Sequence, residues 1–156
     1  MCQFQPPPPR YDPIMAVSDS RTVTLNAPAR QVLAFLLDID NQKNWFPGNS
    51  ESEVLERDDQ GRPTRARLVN DVKVAKDAFE LDYTHTDTGF SWVLPAPTRV
   101  QKVQEGSWKV VETGANQCDA TMSLTIDTAL PLPGFIQKKT VKDTVAGATS
   151  ALVKQF

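Results

Sequence analysis

The chain has 156 residues, 40% of them hydrophobic and 23% charged, with a formal net charge of -2 and an isoelectric point near 5.4. That length supports one domain with its own core, without disulfide or metal staples. The mildly acidic balance gives no electrostatic reason to expect nucleic acid or an anionic membrane, and two cysteines (Cys2, Cys118), one histidine (His85) and no CxxC argue against a metal site or a disulfide framework.

The cysteine usage suits a reducing cytoplasm. No window of about 18 apolar residues predicts integral membrane association. The N-terminus, MCQFQPPPPRYDPI, lacks the basic start and apolar stretch of a signal peptide. Pro6 to Pro9 would form an extended polyproline run, either a ligand for a proline-binding module or part of a flexible extension over residues 1–17. Structured patterning begins just after Met15, which makes Met15 an alternative start to Met1.

From Ser18 the residues alternate as in a strand, with Val23 and Leu25 opposite Thr22 and Thr24. Asn26-Ala27-Pro28 signals a helix start, because Asn can satisfy orphan N–H groups and proline suits the first turn. Val32, Leu33, Phe35, Leu36 and Ile39 then form one helical face. Asp38 to Gly48 predicts a short helix or turn ended by Pro47-Gly48. Trp45 and Phe46 either staple that helix to the sheet rim or gate a pocket mouth.

Strands follow in series: Glu53–Arg57, Thr64–Val74, Ala78–Thr86, one through Phe90, Trp92 and Leu94, then Val100–Glu112 and Cys118–Ala129. Turns at Asp58–Gly61, Asp87–Gly89 and Thr113–Asn116 join them. Gly106 marks a bulge or bend. Pro131-Leu132-Pro133-Gly134 stops the sheet. Val141, Val145, Ala148 and Leu152 then recur at helical spacing between Phe135 and Phe156. Hairpin-linked strands closed by one long amphipathic helix predict an α+β domain, in which a curved antiparallel sheet wraps the helix.

Three segments carry a family likeness: PARQVLAFLLDIDNQKNW (Pro28 to Trp45), Gly106-Ser107-Trp108, and LPLPGF (Leu130 to Phe135). In this order they resemble the START-related, or SRPBCC, superfamily with its helix-grip, birch-pollen-allergen-like fold. The nearest likeness is to the bacterial polyketide cyclase/dehydrase and lipid-transport group. The resemblance spans about Ser18 to Phe156 and implies one ligand-binding domain over residues 18–156. It also implies a cavity between sheet and helix for a hydrophobic small molecule: lipid, isoprenoid or quinone, or polyketide-like compound. A fold implies a pocket, not a reaction.

Side chains alternate across a strand, so the apolar face names the inward residues. Phe79, Leu81, Tyr83 and His85 share one face, and Asn70 shares another with Leu68 and Val72. Trp92 and Trp108 add aromatic wall, with Met122, Val145 and Ala148 from the last strand and helix. Greasy walls with few polar groups suit a ligand pocket. Each residue also has a plainer reading. His85 sits at a strand end where water can reach it. Tyr83 suits a core position with its hydroxyl at the edge, and Asn70 needs a hydrogen-bond partner wherever it is buried. Met122, Val145 and Ala148 suit simple core, although small Gly147 and Ala148 would also leave room for a ligand.

Glu80 and Asp82 fall on the polar strand face, as do Arg65, Arg67 and Lys73. The sequence has no Gly-rich phosphate loop and no GxSxG elbow, and it calls for no cofactor and no metal. Two main functions remain open. The first is a non-catalytic binder or carrier, monomeric or weakly dimeric. The second is a cyclase or dehydratase using Tyr83, His85 and Asn70 as acid–base and orienting groups. The second requires those three to converge in one pocket. A third possibility is an interaction module whose core is packed shut.

Overall fold

The computed structural model describes residues 16–72 and 75–156; the Pro6–Pro9 run, Lys73 and Val74 lie outside these. Among the described residues seven strands form one antiparallel sheet: β1 (Val17–Leu25), β2 (Asn49–Arg57), β3 (Pro63–Val72), β4 (Ala75–His85), β5 (Gly89–Val93), β6 (Gln101–Gly114) and β7 (Gln117–Thr128). Their spatial order is β1-β7-β6-β5-β4-β3-β2. Only the connection from β1 to β2 crosses the sheet. It carries helix α1 (Ala29–Leu37) and a short 3-10 helix (Ile39–Asn44). Helix α2 (Gly134–Val153) closes the chain. This is the helix-grip fold: a curved open sheet with a long C-terminal helix against its concave face.

Alternation decides the faces. In β4 the side chains of Asp77, Phe79, Leu81 and Tyr83 are buried, while Lys76, Ala78, Glu80 and Thr84 are exposed. The outward row is tied by charge. Arg65 on β3 pairs with Asp82 at 2.9 Å, with Glu56 and more distantly with Glu80, and Arg67 reaches Glu51 at 3.6 Å. These carboxylates therefore serve the outer surface, as their position on the polar face predicts. Along the edge, hydroxyls replace charges. Ser18, Ser20 and Thr22 bond to Thr125, Ser123 and Thr121 at 2.7 to 3.0 Å.

Three local expectations need correction. The Asn26 side chain does not cap α1: the helix has no side-chain cap, and the Pro28 carbonyl accepts from the amides of Gln31 and Val32 instead. β2 begins at Asn49 rather than Glu53, because Asn49 pairs across to Asn70 in a run too polar to show alternation. Gly106 is not a bulge. It stands in unbroken register between Trp92 and Leu124, and the β6–β7 register shifts lie at Gln101/Val103 and Glu112/Gly114.

α2 packs on β1 and β7, and α1 on β6 and β7. Leu25, Val32, Leu36, Cys118, Ala120, Val145, Ala148 and Leu152 belong to one buried core, each no more than 3% exposed. Burial, with the nearby carboxylates of Asp119 and Glu112, pushes the Cys118 thiol up, away from the thiolate form a nucleophile needs. The 3-10 helix is held to β2 through Ser52, whose hydroxyl accepts from the Lys43 amide at 3.1 Å and donates to the Asp40 carbonyl at 3.3 Å. That contact anchors the segment that carries Gln42 and leads into Phe46.

Candidate functional site

Between the concave face of the sheet and the first half of α2 lies a cavity of about 170 Å³. Phe79, Leu81 and Tyr83 of β4 form its floor with Phe90 and Trp92 of β5 and Trp108 of β6. Met122, Leu124 and Ile126 of β7 form one side. Gln137, Thr140, Val141 and Thr144 face it from α2, while Gln42, Phe46, Leu130 and Leu132 border it. The volume is small against the roughly 300 Å³ at which drug-sized ligand pockets begin. A larger guest therefore requires the bordering side chains to yield.

The polar atoms in this wall are organised. The Trp92 indole N–H donates to Gln104 Oε1 at 3.0 Å, Gln104 Nε2 to Gln101 Oε1 at 2.6 Å, and Gln101 Nε2 to Asp77 Oδ2 at 2.8 Å. The Thr98 hydroxyl also donates to Asp77 Oδ2, at 3.0 Å. An indole nitrogen only donates and a carboxylate only accepts, so the two ends of the chain fix both amide orientations. Asp77, Gln101, Gln104 and Trp92 are each at most 9% exposed and all line the cavity.

Gly106 makes this chain possible. Trp92 and Gly106 are cross-strand partners, and a Cβ built on Gly106 would lie 2.2 Å from the Trp92 ring. Without a side chain there, the indole lies across the neighbouring strand and reaches Gln104. The glycine serves close approach rather than a bend.

The structure brings Asn70, Phe79, Leu81, Tyr83, Trp92, Trp108 and Met122 to the cavity wall. Three other expected positions stand elsewhere. His85 lies beyond the wall at the end of β4, where its ring Nε2–H donates to the Pro63 carbonyl. Val145 and Ala148 are fully buried in the packed half of α2, outside the lining. Gly147 lies outside the lining as well: it faces Pro47, which stands at ordinary contact distance, 3.6 Å, from where its Cβ would be. Trp45 does not line the cavity either. It packs among Phe35, Phe46 and Trp108, and Phe46 takes the border position.

Asn70, Tyr83 and His85 do not converge. Asn70 is opposite Asp77 in the register, and Tyr83 is six residues further along β4. At about 3.3 Å per residue that separates them by roughly 20 Å along the strand. Asn70 Oδ1 accepts from Asn49 Nδ2 at 3.1 Å, which meets its need for a partner. The Tyr83 hydroxyl has no hydrogen bond among the described residues. Burial holds its pKa well above the usual phenol value, so it faces the cavity as a neutral hydroxyl.

Sequence reasoning missed Asp77, Gln101 and Gln104. The signal for Asp77 was available, since it shares the inward face of Phe79 and Leu81, with a polar residue in an apolar row. Gln101 and Gln104 were hidden by the register shift between Gln101 and Val103, which turns both inward although they are three positions apart.

The chain belongs to the family of polyketide cyclase/dehydrase and lipid transport proteins, whose model matches residues 25–153. Solved structures support the fold independently. A START superfamily protein from Mycobacterium smegmatis superposes with a TM-score of 0.81 at 22% identity, covering 88% of this chain and 95% of that one. The Zhui aromatase/cyclase from a Streptomyces species gives 0.72 at 17% identity, over 89% and 90%. A STAR-related lipid transfer protein from Xanthomonas axonopodis gives 0.67 at 21%, over 88% and 84%. No curated protein matches the sequence. Among the described residues no helix is long and apolar enough to cross a membrane.

Proposed function

We propose that the protein binds a hydrophobic small molecule in the cavity between sheet and α2, as a carrier or binder rather than a catalyst. The observation that carries this reading is a partly open, mostly apolar space whose polar atoms are bonded to one another along one wall. Membership of a family that includes lipid transport, and the likeness to a lipid transfer protein, agree with it. The contacts we assign to the ligand are Phe79, Leu81, Tyr83, Trp92, Trp108 and Met122, with Asn70 and Asp77 at one end. His85, Val145 and Ala148 leave the assignment because they stand off the wall. A cyclase reading would have to rest on Asp77 or Tyr83 acting singly, since about 20 Å of strand separates them.

The test is native mass spectrometry of protein purified gently from its source, joined to titration with a neutral apolar fluorophore. A co-purified mass, or saturable binding that quenches tryptophan emission through Trp92 and Trp108, supports the reading. A protein that carries nothing and binds no neutral apolar probe sinks it.

A further inference from the structure

We infer that the cavity selects an apolar ligand ending in a hydrogen-bond donor, a hydroxyl or an amine, and rejects one ending in a carboxylate, with Asp77 as the residue that makes the choice. The inference deepens the proposed binding function and rests on it.

The two oxygens of Asp77 are unequally used. Its Oδ2 accepts twice, from Gln101 and Thr98. Its Oδ1 accepts from none of the described residues, and it is not among the sealed, unpaired polar atoms, which are Trp45 Nε1, Asn49 Oδ1 and Asp127 Oδ1. The residue lines the cavity, and we assign this second oxygen as the acceptor it offers a ligand.

The bonded chain fixes what else is on offer. Because every bond runs from Trp92 toward Asp77, the carbonyl oxygens of Gln104 and Gln101 are already occupied, and each amide retains one N–H. A ligand hydroxyl can donate to Asp77 Oδ1 and accept from the spare N–H of Gln101. An amine can donate to the same oxygen. A ligand carboxylate could accept from that same N–H, but it would set a second acceptor-only anion beside the Asp77 oxygen, which also only accepts. It finds no counter-charge either, since no Lys, Arg or His among the described residues lines the cavity. An unpaired anion in a low-dielectric wall is strongly penalised.

Position supports the same polarity. Asp77 lies near the start of β4, with Ala75, Val100 and Leu130 of the lining, and the aromatic floor runs away from it toward Tyr83 and Trp108. A head group at Asp77 leaves the apolar body over that floor.

The experiment compares 1-octanol, octylamine and octanoate, three probes of one chain length, by displacement of a neutral apolar fluorophore from the full chain. Octanol and octylamine are expected to bind at least about tenfold more tightly than octanoate, the scale of one hydrogen bond to a charged group. Asp77→Asn, nearly isosteric, is expected to weaken octylamine and bring octanoate level with octanol. Octanoate binding the unaltered protein as tightly as octanol overturns the inference while leaving the binding function standing. Failure of all three probes and of the fluorophore overturns the binding function and the inference with it. The comparison on the unaltered protein decides the matter even where the variant folds poorly.

Discussion

The two halves of α2 face the same sheet and do opposite things. In the second half Val145, Ala148, Thr149 and Leu152 are each fully buried, and the Thr149 hydroxyl is turned back onto the Val145 carbonyl at 2.8 Å. In the first half Gln137, Thr140 and Val141, with Thr144 just past the midpoint, look across open space. The hydroxyls of Thr140 and Thr144 also fold back, onto Ile136 and Thr140, so this half presents short, largely self-satisfied side chains. One helix thus anchors the fold at its C-terminal end and walls a cavity at the other. Cavities open where facing side chains are short and close where they interdigitate.

The sharpest way to break this comparison is to delete equivalent bulk from each half. Leu152→Ala should cost about 2–5 kcal/mol, because a fully packed site cannot collapse around the hole. Val141→Ala removes less and widens a space that already exists, so about 1–2 kcal/mol is expected. Urea midpoints at constant slope measure both. Equal costs would mean that the two halves are packed alike.

Next in size is Gly106→Val. Its new Cβ would meet the Trp92 ring at 2.2 Å, and either the indole or the backbone must move. A loss of about 1–3 kcal/mol is expected, with a red shift of tryptophan emission as the indole leaves Gln104. Trp92→Phe attacks the same wall without steric conflict. It strips the donor from Gln104 Oε1 and should cost about 1–2 kcal/mol. A neutral result would show that the chain from Trp92 to Asp77 is not an organised unit.

The periodic apolar faces of the molecule were far more legible in the sequence than its polar chain, for a physical reason. Packing follows periodicity: Val141, Val145, Ala148 and Leu152 at helical spacing, and Phe79, Leu81 and Tyr83 on alternate residues, announce their direction directly. Asn70, Phe79, Leu81, Tyr83, Trp92, Trp108 and Met122 stand on the cavity wall because that alternation holds. What failed depends on events that leave no periodic trace. A one-residue register shift turns Gln101 and Gln104 inward, an indole crosses a glycine, and His85 lies one pleat too far along β4 to reach the space. The polar chain is therefore a tertiary fact, visible only once the strands are in register.

A smaller effect separates the cavity floor from the rest by pH. Burial raises the Tyr83 pKa in the folded protein, whereas in the unfolded chain it ionises near its ordinary value of about 10. Below that pH both states keep the proton and stability is unaffected. Above it the unfolded state gives up its proton first, so stability falls by up to about 1.4 kcal/mol per pH unit from this group alone. Tyr83→Phe should flatten the alkaline limb by that amount and leave stability at neutral pH nearly unchanged, since the hydroxyl has no partner among the described residues to lose. Denaturation midpoints at pH 7 and above pH 10 read both expectations.

The smallest expected change is the most direct probe of the open half. Thr144→Val replaces the hydroxyl with a methyl of similar size. The lost bond to the Thr140 carbonyl is local to the helix, and that carbonyl keeps its place in the helical ladder. Stability should stay within about 0.5 kcal/mol. The wall, however, becomes more apolar where it faces the guest, so a neutral apolar fluorophore should bind more tightly to the variant. A large loss of stability would mean that Thr144 is packed as Thr149 is, and that the two halves of α2 differ less than their surroundings imply.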